Sequence, residues 1–373
     1  MATLRILLTG GGTGGHTYPL VAVARAIRQK RPDAELYFAG PTNFGRGDLE
    51  KEGIAVYHLV AGKFRRYFSF GWIADIVKFP VGFAQALALN FWVLPDVVFS
   101  KGGYGAVPVV LTARLLRIPV VIHESDVVPG MANRLTARFA AMILIAFPEA
   151  RVGFRARDQR RVYPVGNPVR TAPGAAGSGA ASLLGIRGGR PIIAVLGGSQ
   201  GAERLNDLTL MSLGKLLEFS EVVHQTGQKN IDRVKEAAGA LVAASALEYW
   251  HASPFFSEAE LQALFAVADL IVSRAGAGAI FEIAASGRPS VLIPLTEGSR
   301  GEQIKNAYAY ARSGAALVLE EGNCSSNVFV KTIRDLLHDE ALRREMSVAA
   351  GQFARPGAAG EIAQAILELG SKN

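Results

Sequence analysis

Apolar and polar positions along this chain fall into a repeated rhythm. Short apolar runs at 4–9, 35–39, 54–59, 96–99, 119–122, 141–145 and 161–164 read as buried strands, with segments of helix length between most of them. That alternation predicts βαβ units and a parallel sheet. The rhythm lapses near 165–190, where 171–190 is rich in Ala, Gly and Ser and reads as a linker and surface loop. It restarts at 191–198, where PIIAVLGG runs into glycines as LRILLTGGG does at 4–12. Further strands are expected near 221–225, 246–250, 269–273, 290–294 and 316–319, and 361–369 (EIAQAILEL) reads as an amphipathic terminal helix. The expectation is an α/β protein of two Rossmann-like, doubly wound parallel-sheet domains. Ligands of open parallel sheets bind beyond the carboxyl ends of the strands. Two such sheets facing each other would place both sets of loops in one cleft.

Length and composition agree with this reading. The 373 residues suit two domains, and 50% hydrophobic with 19% charged residues is the usage of a folded protein. The first apolar run is too short for a signal peptide and leads straight into glycines. A single cysteine, Cys324, excludes an intrachain disulfide and any two-cysteine metal pattern. The histidines at 16, 58, 123, 224, 251 and 338 form no HExxH pair, so no metal cofactor is expected. The net charge of +8 points to phosphorylated substrates or an anionic membrane surface. Nucleic acid is disfavoured, because the chain has no long Lys/Arg run and no basic stripe interleaved with aromatics.

Glycine-rich motifs follow the strands. Residues 10–17 read GGGTGGHT, formally a Gly10-x-Gly12-x-x-Gly15 dinucleotide fingerprint. A nicotinamide dinucleotide needs an acid at the end of the next strand, and that strand ends FAGPTN at 38–43. The loop is therefore an anion-binding turn or a structural one, with His16 at its exit either catalytic or packed. SKGGYGAVPVV at 100–110 supplies a second backbone-lined turn, in which Tyr104 contacts a ligand or packs. IHESD at 122–126 puts His123, Glu124 and Asp126 at a strand end. Its carboxylates suit a metal or an acid–base pair, and Ser125 or Asp126 equally suits a cap for the next helix.

The second half repeats the design. GGSQGAERLN at 197–206 reads as a diphosphate cradle around Ser199, without the lysine of a P-loop. SRAGAGAIFE at 273–282 runs from a strand into a helix that carries Glu282, suited to vicinal ribose hydroxyls or simply solvated. Gln303 and Asn306 are spaced to share a helix face, where amides suit sugar hydroxyls. At 63–92, Lys63, Arg65, Arg66 and Lys78 mix with large apolar residues, and 79–95 carries no charge. The run is too short and too interrupted by Pro80, Gln85, Asn90 and Pro95 to span a bilayer. It reads as a buried helix or as a patch resting on an anionic membrane face.

Taken in order, GGGTGGHTYPLVAVA, KGGYGAVPVV, IPVVIHESDVVPGMANRL, GNPVR, GGSQGAERLN, SRAGAGAIFE and EQIKNA resemble the MurG family of bacterial peptidoglycan N-acetylglucosaminyltransferases. The resemblance covers about residues 5–310. It implies the glycosyltransferase B fold, with an acceptor- and membrane-binding domain at 1–166 and a donor domain at 167–356. A last helix at 357–373 would return to the first domain. It also implies metal-independent, inverting transfer of N-acetylglucosamine from UDP-N-acetylglucosamine to the C4 hydroxyl of undecaprenyl-linked lipid I. The product would be lipid II, made by a peripheral enzyme on the cytoplasmic face of the cell membrane. Alternatives on the same fold are another glycolipid glycosyltransferase and a UDP-N-acetylglucosamine 2-epimerase.

By position, the resemblance assigns Thr13, Gly14, Gly15 and His16 to the acceptor and diphosphate, with Tyr104 and Asp126 on the same side. His16 is the implied base and Glu124 its rival. Arg170, Ser199, Asn206, Ala277, Gly278, Ala279, Ile280, Phe281, Glu282 and Gln303 fall to the donor, with the uracil contact near Phe255 or Phe256. The chain departs from the common pattern at Ser125-Asp126, where many members read Gln-Asn. It departs again at Ala279 for threonine and at Glu302 for glutamine.

Overall fold

The structure is a computed structural model that describes residues 3–11, 14–41, 45–62, 71–169, 179–198, 202–296 and 301–372. The chain forms two compact units, Met1–Arg170 with Arg355–Asn373, and Thr171–Ala354.

In the first unit the elements run β1 (Arg5–Thr9), α1 (Gly14–Lys30), β2 (Glu35–Gly40), α2 (Arg46–Lys51), β3 (Ala55–His58), α3 (Gly71–Val93) and β4 (Val97–Ser100). They continue with α4 (Ala106–Leu115), β5 (Val120–Glu124), α5 (Met131–Thr136), β6 (Met142–Ile145) and β7 (Val162–Pro164). The strands form one parallel sheet in the order β3-β2-β1-β4-β5-β6-β7. Strands such as RILLT and VVFS are apolar almost throughout because helices cover both faces of the sheet. Leu20, Val23 and Ile27 of α1 pack on one face, and Ala86, Leu89 and Val93 of α3 with Val109 and Val110 of α4 lie in the core on the other.

The second unit runs α6 (Ala180–Leu183), β8 (Ile192–Leu196), α7 (Glu203–Leu216), β9 (Glu221–Gln225), α8 (Ile231–Leu241), α9 (Ala244–Leu247) and β10 (Trp250–Ser253). It continues α10 (Glu258–Val267), β11 (Leu270–Ser273), α11 (Ala277–Ser286), β12 (Ser290–Leu292), α12 (Glu302–Ala311), β13 (Ala316–Val318), α13 (Ser326–His338) and α14 (Glu340–Phe353). Its parallel sheet has the order β10-β9-β8-β11-β12-β13. A last helix, α15 (Ala358–Gly370), belongs to the first unit and sets Ile362 and Ile366 into the core beneath α1.

Several boundaries differ from the sequence expectation, among them β12, which ends at Leu292 rather than at 294. The strand expected near 246–250 begins only at Trp250, which pairs with Val222, and Ala244–Leu247 forms a helical turn. Alanine and leucine favour that turn, and only WHAS lies beside β9. β5 also runs two residues further than expected, because His123 and Glu124 pair with Leu144 and Ile145 of β6. Strand order reverses between β1 and β4 in one sheet and between β8 and β11 in the other. Open sheets bind ligands outside the carboxyl ends of the strands at such reversals. The glycine motifs at 10–17 and 100–110, and those at 197–206 and 273–282, occupy these two places.

Candidate active site

The first unit's site is built on the exits of β1, β4 and β5. α1 begins at Gly14, so Gly14, Gly15 and His16 form its first turn, and Gly15 is exposed. The side chain of His16, and Thr13 altogether, lie outside the described residues. After β4, Gly102 and Gly103 both take φ 84°, and a Cβ on Gly102 would sit 2.7 Å from the Asn133 amide. Only glycine combines that backbone with that approach. Tyr104 is half-buried just beyond.

Glu124 closes β5 and is only 4% exposed. Its Oε1 accepts the Asp126 N–H at 3.0 Å, and its Oε2 accepts the Gly130 N–H at 2.8 Å and Asn133 Nδ2 at 2.9 Å. Burial, with the nearby Asp126 charge, pushes its carboxyl up, against the pull of these hydrogen bonds. The expected cap from Ser125 or Asp126 is not formed: α5 starts after Gly130 without a side-chain cap. Glu124 instead ties the two ends of the 125–130 loop and the first turn of α5, and Asp126 stands half-buried at the loop's start. Among the described residues, no cluster of His, Cys, Asp and Glu could hold a metal ion.

One central group escaped the sequence reading. Lys101, the residue after β4, is 3% exposed. Its Nζ lies 2.6 Å from His123 Nδ1 and 3.0 Å from Asn167 Oδ1, and it also donates to Ser125 Oγ. Because His123 Nε2 is 2.8 Å from the Gly166 carbonyl, that nitrogen carries the proton and Nδ1 accepts from the lysine. Burial, followed by the Lys101 charge, drives the His123 pKa far down and keeps the ring neutral. In sequence, Lys101 looked like an ordinary loop cation. The available signal was its position between an almost wholly apolar strand and two glycines.

The second unit's site lies on the exits of β8 and β11. Gly197 ends tight against the Gln225 carbonyl and the Ala202 amide, and Gly198 takes φ 76°. Ser199, like Arg170, lies outside the described residues. α11 starts after an extended Gly276 with no side-chain cap, so its first amides offer an anion site. Of the donor segment, Ala277, Ile280 and Phe281 are core residues, and Phe281 packs 5.3 Å from the Phe353 ring. Gly278, Ala279 and Glu282 share the partly exposed side. The amides expected at the ligand also bond the scaffold. Asn206 is fully buried, accepting from His224 at 3.0 Å and donating to the Thr226 carbonyl at 2.9 Å. Asn306 is fully buried against the Ala275 carbonyl, and Gln303 Oε1 accepts the Leu295 N–H at 2.9 Å. Phe256 is buried, while Phe255 is 40% exposed.

Arg274 was also missed. It is 8% exposed and bonds the Ile293 carbonyl at 3.0 Å and Glu321 at 2.5 Å. Glu321 also accepts from Thr296 at 3.1 Å and from Arg204 at 3.2 Å. Arg204 lies on α7 and Arg274 just before α11, so one carboxylate ties both loops of the second unit's switch point.

Residues 6–145 match the glycosyltransferase family 28 N-terminal domain, and residues 192–362 match the family's C-terminal domain. A protein of Treponema pallidum is 37% identical over 96% of this chain and 94% of its own length. It is named UDP-N-acetylglucosamine–N-acetylmuramyl-(pentapeptide) pyrophosphoryl-undecaprenol N-acetylglucosamine transferase. This chain is a family 28 glycosyltransferase of the MurG family. A Bacillus cereus enzyme of the same name is 36% identical over 89% of the chain and 91% of its own length. The crystal structure of Acinetobacter baumannii MurG superimposes with TM-score 0.74 at 28% identity, over 98% of this chain and 99% of that one. A putative UDP-N-acetylglucosamine 2-epimerase from Listeria monocytogenes reaches TM-score 0.73 at 15% identity over 100% and 98% of the two chains. That likeness is one of fold alone. Among the described residues, no helix is long and apolar enough to cross a membrane.

Proposed function

We propose that this MurG-family chain transfers N-acetylglucosamine from UDP-N-acetylglucosamine to the C4 hydroxyl of the muramoyl sugar of lipid I, giving lipid II. The observation that carries this is identity of 36–37% along about nine-tenths or more of the chain to relatives bearing that activity in their names. The acceptor oxygen forms a bond to the donor's C1 as the bond from C1 to the diphosphate oxygen breaks, with inversion. UDP leaves with the electron pair, and the hydroxyl proton passes to a base. On this reading the first unit's loops at Thr13–His16, Tyr104 and Asp126 take the acceptor. The second unit's Ser199 loop, the amides opening α11, Arg170, Glu282 and Gln303 take the donor. The departing diphosphate needs positive potential, which helix-terminal amides and an arginine supply without a metal. Both Glu124 oxygens are already engaged by N–H donors, which favours His16 as the base.

The membrane reading rests on α3. Gly82, Ala86, Leu89, Asn90 and Val93 are buried, whereas Val81, Ala84, Gln85, Ala88, Phe91 and Trp92 form an exposed stripe without charge. Leu115 on α4 is exposed as well, beside the exposed Arg114 and Arg117. A large apolar exposed face flanked by cations suits an anionic bilayer surface and peripheral attachment on the cytoplasmic side. Phe79, expected in this patch, is half-buried against Phe83, and Lys63, Arg65 and Arg66 lie outside the described residues.

The test is incubation with UDP-N-acetylglucosamine, with and without lipid I, followed by mass identification of products. Lipid II and UDP appearing only with lipid I support the proposal. Epimerised nucleotide sugar without any acceptor overturns it in favour of an epimerase.

A further inference from the structure

Three chain segments meet at the Lys101 ammonium: the end of β5 through His123, the loop beyond it through Ser125, and the segment after β7 through Asn167. An ammonium has three N–H donors, and three acceptors surround it. Ser125 Oγ in turn donates to Asn167 Oδ1 at 3.0 Å, so the acceptors are themselves linked. His123 contributes from both ring nitrogens, one facing Lys101 and the other the Gly166 carbonyl. A buried surface-type cation on a loop is expensive unless it serves as a fixed joint. This one stands at the ligand edge, next to the loop that Glu124 organises. We propose that Lys101 is a positioning residue of the acceptor half-site, fixing the β5 exit against the 166–167 segment and supplying the counter-charge to Glu124 and Asp126.

The electrostatics agree with the geometry. Burial pushes the Lys101 ammonium down, and the charges of Glu124 and Asp126 push it back up. By reciprocity, the ammonium favours the ionised form of both carboxyls. The ionised Glu124 carboxylate is the stronger acceptor for its three N–H groups, so losing the cation loosens the loop that presents Asp126. The titratable groups acting on Lys101 are these two carboxyls, together with the neutral His123 that touches it.

The inference rests on the transferase reading and is tested on the full-length chain with lipid I and UDP-N-acetylglucosamine. Lys101→Met keeps length and apolar stem while removing the charge. It should lower kcat/KM toward lipid I by roughly 10-fold or more, as a displaced site does. The acid limb of that parameter should move up by about one pH unit as Glu124 and Asp126 lose their counter-charge. UDP affinity by calorimetry should stay within roughly twofold, because the donor loops share no partner with Lys101. If Lys101→Met does not fold, Ser125→Ala decides. It keeps the charge, so the acid limb should stay in place while kcat/KM toward lipid I falls. A Lys101→Met protein with unchanged acceptor kinetics and limb, or a Ser125→Ala protein with unchanged kinetics, overturns the inference alone. An unsubstituted chain that makes no lipid II overturns the transferase reading and this inference with it.

Discussion

The Nε2–H of His224 donates to Asn206 Oδ1 at 3.0 Å, and both residues are completely buried between β9 and α7. The other end of the same amide donates to the Thr226 carbonyl. Asn206 therefore fixes a histidine tautomer and the exit of β9, and does so from inside the core.

Asn206→Ala leaves the His224 N–H without a partner, while the Thr226 carbonyl keeps the Asn230 amide at 3.1 Å. Stranding buried polar groups costs about 1–3 kcal/mol each. Urea unfolding should show a loss of about 1–3 kcal/mol, and a folded variant should bind UDP only a few-fold more weakly. A variant of unchanged stability but abolished UDP binding would instead make Asn206 a direct ligand contact.

His224 gives a pH dependence with a definite sign. Burial pulls its pKa down to about 3, whereas a histidine in the unfolded chain titrates near 6.5. Between those values the unfolded chain takes up a proton that the folded chain refuses. Stability is therefore intact above about 6.5 and declines as pH falls toward 3, by up to about 1.4 kcal/mol per unit. His123 acts in the same sense. His224→Gln keeps an N–H toward Asn206 and should flatten the slope by one proton's worth. Identical slopes in the two proteins would place the acid sensitivity elsewhere.

Glu321 should be a costly acid to remove from the second unit. Burial alone would raise its carboxyl, but the hydrogen bond and charge of Arg274, with Thr296 and Arg204, hold it below its ordinary value. Glu321→Ala leaves the Arg274 guanidinium buried with only the Ile293 carbonyl, at a cost of about 3–5 kcal/mol. UDP affinity should fall too, because Arg204 and Arg274 flank the two donor loops. Glu321→Gln should lose less stability. Equal stability of the alanine variant and the parent chain would show the cluster to be energetically idle.

The comparison of sequence and structure turns on what each residue type signals. Apolar runs located nearly every strand, because strands buried on both faces leave little choice of residue. Glycines located both switch points, because positive φ and close approach leave no choice at all. The scaffold bonds of Asn206 and Asn306 were not legible, since an amide near a glycine loop looks the same whether it faces a ligand or a carbonyl in the core. Lys101 and Arg274 were silent, since a cation near a loop reads as solvated. Only the topology that sets β4 beside β5, and β11 beside β12, reveals their buried partners. Helix Ala244–Leu247 displaced an expected strand because four residues of helix-forming composition interrupt the apolar pattern before Trp250.

The exposed face of α3 makes the last prediction. Phe91 and Trp92 are 69% and 78% exposed, so replacing both with serine removes apolar surface without opening a cavity. The melting temperature should stay nearly constant. Each large apolar side chain taken from water to an apolar phase is worth about 1.5–3 kcal/mol when fully buried. Insertion to the headgroup level realises part of that, so the double variant should bind anionic vesicles roughly 10-fold or more weakly. Turnover on short-chain, detergent-free acceptor analogues should persist, because α3's carboxyl end lies at the opposite edge of the sheet from the β1 and β4 exits. Full vesicle binding by the double serine variant would remove this face from the membrane contact. It would leave the 63–70 segment, with its Lys and Arg side chains, as the part of the chain to mutate next.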